Sequence, residues 1–263
     1  MGISKFELME AMEKIAPIKL AEAWDNCGMQ IDLDSKQINK ILVTLEITKE
    51  IIKEAKNLEA DFIVTHHPLY FSSFKNIDHN NIIGNYTVDL IQQRISVFSA
   101  HTNFDKAQFG NNFYLANLLN LKNIKDFQEF GDNYIGVLGE LPEEMMLKDI
   151  ISDVKNILNL QTNEIKVIGN LENVINKIGL CTGAGIDMIE IAAANSCQLF
   201  ITGDVKYHDA IKSKEMGMNV IDAGHYGTEK IFIPNMAMQL KDALEDKVEI
   251  FEAEVNINPF DFL

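Results

Sequence analysis

The chain is short of cations, cysteine and tryptophan, and each shortage narrows what it does. Its 263 residues hold 23 Lys and Arg against 39 Asp and Glu, a formal net charge of −16. With no basic stripe to release counterions from phosphates, general binding to nucleic acid or to an anionic membrane surface is disfavoured. A small anionic substrate stays open, because bound divalent ions invert the local field. The three cysteines, Cys27, Cys181 and Cys197, are odd in number, far apart and without C-x-x-C spacing. That argues against a zinc ribbon or a disulfide framework and for structural thiols in a reducing compartment. No apolar run reaches the length of a membrane-spanning helix. The N-terminus MGISKFELMEAMEKIAP is amphipathic and acidic, unlike a secretory signal, so cytoplasmic residence is expected. No G-x-x-x-x-G-K-[ST] stretch supports a P-loop nucleotidase. The single tryptophan, Trp24, sits in the compact turn Trp24–Gly28 and reads as a core residue.

What is present is an ordinary globular balance, 47% apolar and 24% charged, enough for one large domain or two modest ones. Ser4-x-x-Glu7 reads as a capping box opening a helix over 4–15, stopped by Pro17. Strands are predicted at Ile41–Glu46, Asp61–Thr65 and Ile95–Ala100, with helices at Lys49–Asn57, 82–93 and 111–120 between and after them. Alternation of this kind favours a largely parallel sheet with helices on its faces. Further on, strands are predicted at Tyr134–Gly139, Glu164–Ile168, Lys177–Cys181, Gln198–Ile201, Asn219–Asp222 and Val248–Phe251. Helices are expected at Leu147–Leu158, 186–195, 206–216 and, as one long element, 228–243. The polar stretch 123–133 is the place for a join between lobes. The expectation is an α/β fold of two lobes, with mixed or parallel sheets flanked by helices.

Five of the six histidines lie in four short motifs: Thr65–Leu69 (THHPL), His101–Asp105 (HTNFD), Gly203–His208 (GDVKYH) and Gly224–Glu229 (GHYGTE). Three of these motifs follow apolar runs that read as buried strands, and ligands in open α/β sheets gather at C-terminal strand ends. His66 and His67 are adjacent, and a turn begun by Pro68 lets both rings face one rim. A polar loop with exposed histidines is the plainer alternative. Asp105 can bind one ion or bridge two, while a turn-capping Asp is common before Gly110. His101 suits a supporting or proton-transfer role. His225 and Glu229 stand four apart at the start of a helix, which puts both on one face. A first-turn glutamate also favours the helix dipole, but that does not explain the histidine beside it. Five candidate ligands exceed a simple catalytic zinc site and suit two ions about 3.5–4 Å apart. Asp204, Lys206 and His208 could position substrate, or Asp204 could simply cap a helix. The Gly183–Gly185 turn could cradle an anion.

Taken together, these motifs resemble the NGG-interacting-factor-like family of dinuclear metal proteins, which includes the GTP cyclohydrolase I type 2 homologues. The resemblance runs along nearly the whole chain, through WDNCGMQ at 24–30, THHPL at 65–69, HTNFD at 101–105, GDNYIG at 131–136, TGAG at 182–185, TGDVKYH at 202–208 and DAGHYGTE at 222–229. It implies two divalent transition-metal ions per subunit on His66, His67, Asp105, His225 and Glu229, with zinc, iron, manganese and nickel all compatible. It also implies a two-lobed subunit, with a metal-binding α/β lobe of 1–125 plus 221–263 and a second α/β lobe of 126–220, assembled as a homo-oligomer, a ring-like homohexamer, with a small nucleotide as substrate. Glu46 stands where the family pattern has aspartate. The activity implied is attack of a metal-bound hydroxide on the imidazole portion of the guanine ring of GTP, with His101 and Glu229 moving protons. A phosphoesterase at the same centre, or a non-catalytic metal-binding scaffold, are the alternatives.

Overall fold

The structure, a computed structural model, describes residues 2–34, 37–73, 75–78, 80–131 and 134–262. Asp132 and Asn133 of the 131–136 motif lie outside the described residues. The chain divides into two units, Met1–Ala107 with Phe232–Ile257, and Gln108–Ile231 with Asn258–Leu263.

In the first unit, among the described residues, strands β1 (Gly28–Ile31), β2 (Lys40–Thr44), β3 (Phe62–Thr65) and β4 (Ser96–Ser99) join the last strand, Glu249–Glu252, in a five-stranded sheet. Its order is β1-β4-β3-β2-last strand; all neighbours are parallel except β1 on β4. Ile41, Leu42, Val43, Phe62, Ile63 and Val64 are almost wholly buried. Unbroken apolar runs of this kind are what a parallel sheet covered on both faces requires. The helix Lys5–Ile15 opens with the predicted capping box: Ser4 Oγ accepts from Glu7 N at 3.2 Å, and Ser4 N donates to Glu7 Oε2 at 2.8 Å. Leu8, Ala11, Met12 and Ile15 form its buried face, which packs against the helix Phe232–Leu244. Parallel register aligns Thr44, Thr65 and Ser99, so the residues that follow β2, β3 and β4 all leave the sheet at one edge.

The second unit, among its described residues, holds a six-stranded mixed sheet in the order β5-β6-β8-β9-β10-β7. The strands are β5 (Lys122–Asp126), β6 (Val137–Met146), β7 (Lys166–Ile168), β8 (Val174–Leu180), β9 (Leu199–Thr202) and β10 (Asn219–Asp222). Only β8, β9 and β10 run parallel. Their carboxyl ends deliver Cys181–Gly183, Gly203–Asp204 and Ala223–His225 to a common edge.

The α/β class and helix-flanked sheets agree with the sequence, and most predicted elements fall within a residue or two. The helix expected over 228–243 does not form as one piece. It divides into His225–Glu229 and Phe232–Leu244. Pro234 explains the restart: it has no N–H to donate and is tolerated in a first turn but not an interior one. β1 and β5 are the additions, both edge strands. β6 extends beyond the predicted 134–139, with an irregularity between Glu140 and Met145 around Pro142. Among the described residues, no helix is long and apolar enough to cross a membrane.

Ser4→Ala removes one side of the capping box, and about 1 kcal/mol of stability should go with it. Denaturant unfolding should show a lower midpoint with an unchanged slope.

Candidate metal centre

In the first unit, two histidines follow β3 and one follows β4. His66 is fully buried, and its Nδ1 lies 2.8 Å from the Ala100 carbonyl. A carbonyl only accepts, so Nδ1 carries the proton and Nε2 is the lone-pair nitrogen. That nitrogen faces Asp105 Oδ2 at 3.7 Å. Asp105 closes the short helix Thr102–Asp105 and is buried. Two ligands of one ion at about 2.1 Å each can lie no more than about 4.2 Å apart, so this pair fits a shared cation. His67 is partly exposed, with Nδ1 3.8 Å from Glu46 Oε2. The longer glutamate therefore still reaches the ring from the end of β2.

His101 stands closer to the pair than the sequence suggested. The ring centroids are 5.2 Å apart for His66 and His67, 5.1 Å for His66 and His101, and 5.5 Å for His67 and His101. Each of the three offers one ring nitrogen within 4.8 Å of the others. His101 Nδ1 lies 3.0 Å from both oxygens of Asp25, which again fixes the tautomer with Nε2 as acceptor. Asp25 Oδ2 also accepts from Thr102 Oγ1 at 2.5 Å, Thr102 N at 3.1 Å and Cys27 Sγ at 3.0 Å. Burial pushes the Asp25 carboxyl up, but the hydrogen bonds from His101, Thr102 and Cys27 outweigh it and hold the group well below the usual carboxylate range. Burial and the same carboxylate push the Cys27 thiol up to about 12. Cys27 is therefore a protonated hydrogen-bond donor and not a nucleophile.

In the second unit, His225 opens the short helix after β10. Its Nδ1 lies 2.8 Å from Asp204 Oδ2, and its Nε2 lies 2.9 Å from Glu229 Oε2. With Nδ1–H given to Asp204, two acceptors face one another, an arrangement that a proton or a metal ion must bridge. Glu229 is buried, and the backbone beside it must be glycine. Gly183 has φ +68°, and a Cβ there would lie 2.1 Å from Glu229 Oε1. A Cβ on Gly203 would lie 2.6 Å from the Gly224 carbonyl carbon, so that glycine lets the loop after β9 abut the His225 turn. The loop then turns at Asp204, φ +56°, toward the histidine.

His66, His67 and Asp105 are thus grouped with His101 in one unit, and His225 with Glu229 in the other. Asp204 joins His225, whereas Lys206 and His208 are exposed, the latter edge-on to Tyr207. The Gly183–Gly185 turn, which could cradle an anion by sequence, uses two of its amides within the chain. Gly183 N donates to Thr228 Oγ1 and Gly185 N to Thr202 Oγ1, so those amides serve the protein itself. Trp24 is not core: it is 60% exposed and lies edge-on to His101, centroids 6.2 Å apart. Asp25, which supports His101, is marked by no spacing pattern in the sequence. It is 76 positions from His101, and the only signal was an acid inside the compact WDNCG turn.

The Duf34/NIF3 (NGG1p interacting factor 3) family model matches residues 4–259. A protein of Clostridium perfringens named GTP cyclohydrolase 1 type 2 homolog is 35% identical over 260 residues, covering 98% of each chain. The GTP cyclohydrolase 1 type 2 of Helicobacter pylori strain J99 is 33% identical over 226 residues, 86% of this chain and 87% of that one. The crystal structure of a Bacillus cereus protein related to NIF3 superposes with a TM-score of 0.90 at 24% identity, covering 100% of this chain and 99% of that chain, and shares the fold.

Two outcomes follow from this geometry. Asp204→Asn keeps the shape but removes the charge that makes His225 a strong donor, so metal affinity should drop about tenfold in a competition titration against a chromophoric chelator. Asp25 has a lowered folded value, so its stabilisation is present above the unfolded value of about 3.9 and is lost as pH falls through the folded value. In metal-free protein, the stability gap between wild type and Asp25→Asn should be widest above about pH 5 and shrink on acidification; a gap that grows would contradict the assignment.

Proposed function

The chain belongs to the Duf34/NIF3 family, and from that premise we propose that it is a dinuclear-metal hydrolase of the GTP cyclohydrolase 1 type 2 kind. In this reading His66, His67, Asp105, His225 and Glu229 would hold two divalent ions. The observation that carries the reading is the second-nitrogen rule. His66 gives Nδ1–H to a backbone carbonyl and His225 gives it to a carboxylate, so both present Nε2, and each Nε2 faces a buried carboxylate. That is the donor set of a nitrogen- and oxygen-ligated transition metal. When bound, the ions lower the pKa of a water molecule and polarise the atom it attacks.

The chain's own residues supply the rest. Asp25 holds the His101 ring in one tautomer, so that Nε2 can take a proton from the attacking water and return it to the departing ring nitrogen. Thr102 and Cys27 keep Asp25 ionised while it does so. Glu229, buried against Gly183, contributes a carboxylate whose position is fixed by the backbone beside it. The reaction proposed is addition of one water at C8 of the guanine ring of GTP, cleavage of a C8–N bond to open the imidazole portion as a formamide, and hydrolysis of that formamide by a second water, which releases formate and leaves the free amine.

Purified protein should carry about two transition-metal ions per chain, and fewer than about 0.5 would contradict a dinuclear centre. Metal-loaded wild type should turn over GTP, and Asp105→Ala should lose at least about a hundredfold of that rate. Equal rates in the two proteins would mean a contaminating enzyme and would sink the hydrolase reading.

A further inference from the structure

Two large aromatic side chains stand exposed beside the histidine cluster of the first unit, and neither the ligand set nor the proton relay uses them. Trp24 is 60% exposed and Phe71 63%. Their centroids are 6.0 Å apart, and each ring also meets His101 edge-on, at 6.2 Å and 6.4 Å. Isolated exposed aromatics are common on protein surfaces. A pair that adjoins three convergent imidazoles is a different feature.

The two loops that carry this pair are tied together by amide side chains. Asn26 Nδ2 donates to the Tyr70 carbonyl at 2.8 Å, Tyr70 N donates to Gln30 Oε1 at 3.2 Å, and Gln30 Nε2 donates to the Asn26 carbonyl at 2.7 Å. Asn26 and Tyr70 are the near neighbours of Trp24 and Phe71, so the backbone that carries both rings is braced. Asp25, next to Trp24, is the residue that orients His101. One turn therefore presents an aromatic surface and aims an imidazole at once. Aromatic faces are what a flat heteroaromatic ring binds against, because stacking needs no particular donor and acceptor pattern.

We propose that Trp24 and Phe71 form a stacking platform that receives the planar heteroaromatic ring of the substrate and presents it to the His66, His67 and His101 cluster. The occupant is a fused nitrogen heterocycle of purine size, and the platform recognises the base rather than the phosphates. The choice of a purine rests on the cyclohydrolase reading above; the stacking role rests on the rings.

Trp24 is the only tryptophan in the chain, so tryptophan emission, excited selectively over the six tyrosines, reports on the platform. Guanosine titrated into metal-loaded protein should quench that emission saturably, whereas inorganic triphosphate should leave it unmoved. Phe71→Ala and Phe71→Leu should each weaken guanosine binding about tenfold, the scale of one base–aromatic stack, while Phe71→Tyr should stay near wild type. Phe71 is exposed, and an unchanged melting temperature in all three variants checks that each is folded. No quenching by guanosine, equal quenching by triphosphate, or unaltered affinity in both Phe71→Ala and Phe71→Leu would overturn the platform. GTP turnover on the same preparations separates the two readings. Phe71-dependent binding of guanosine with no turnover keeps the platform and removes the cyclohydrolase. Turnover with a KM unchanged in Phe71→Ala does the reverse.

Discussion

An imidazole has two nitrogens, and a metal-binding histidine needs one of them held so that the other is aimed. This chain meets that constraint three times, with three different partners. His66 leans on the carbonyl of Ala100, His101 on Asp25 and His225 on Asp204. The first of these depends directly on sheet register. Thr65 and Ser99 are paired across β3 and β4, so the residue after β3 and the carbonyl after β4 leave the sheet side by side. A one-residue slip would turn those side chains to the opposite face. The buried strands β2, β3 and β4, which build the core, thereby also fix where a ring nitrogen points.

The cost of this arrangement falls on buried acids. Asp105 and Glu229 are both buried and both face a ring nitrogen that is itself an acceptor. Burying a carboxylate costs desolvation energy. In the proposed reading a divalent cation would offset that cost in both places. The backbone has been fitted around the same demand: Gly183 turns through a left-handed conformation beside Glu229, where any side chain would occupy the space of the carboxylate. Asp25 differs in kind. Three side chains satisfy it fully within the protein, so it serves as a fixed negative support for His101 and needs no metal.

Much of the fold is legible in the sequence. Short β-rich runs bounded by turn residues mark β2, β3, β4, β9 and β10, whose residues are almost all buried. The histidine motifs at their ends followed from the tendency of α/β sheets to present ligands there. What escaped has particular causes. β5 (KNIKD) is a polar edge strand with no core face to leave a pattern, and β1 follows a turn that masked it. The helix predicted over 228–243 ignored what Pro234 requires of its own first turn. Asp25 meets His101 only after the chain has folded, so no spacing rule connects them. Trp24 was assigned to the core on residue type alone, although its place in a polar turn beside Asp25 and Asn26 pointed outward.

The account stands or falls on whether these side chains together hold two ions. X-ray absorption spectroscopy of the metal-loaded protein tests that directly. It should show nitrogen and oxygen neighbours at about 2.0–2.2 Å, the outer-shell scattering of imidazole rings, and a metal–metal vector near about 3.5 Å. That vector should vanish in Glu229→Ala while imidazole scattering persists. Wild-type spectra with no metal–metal vector, or with sulfur in place of nitrogen and oxygen, would contradict the account.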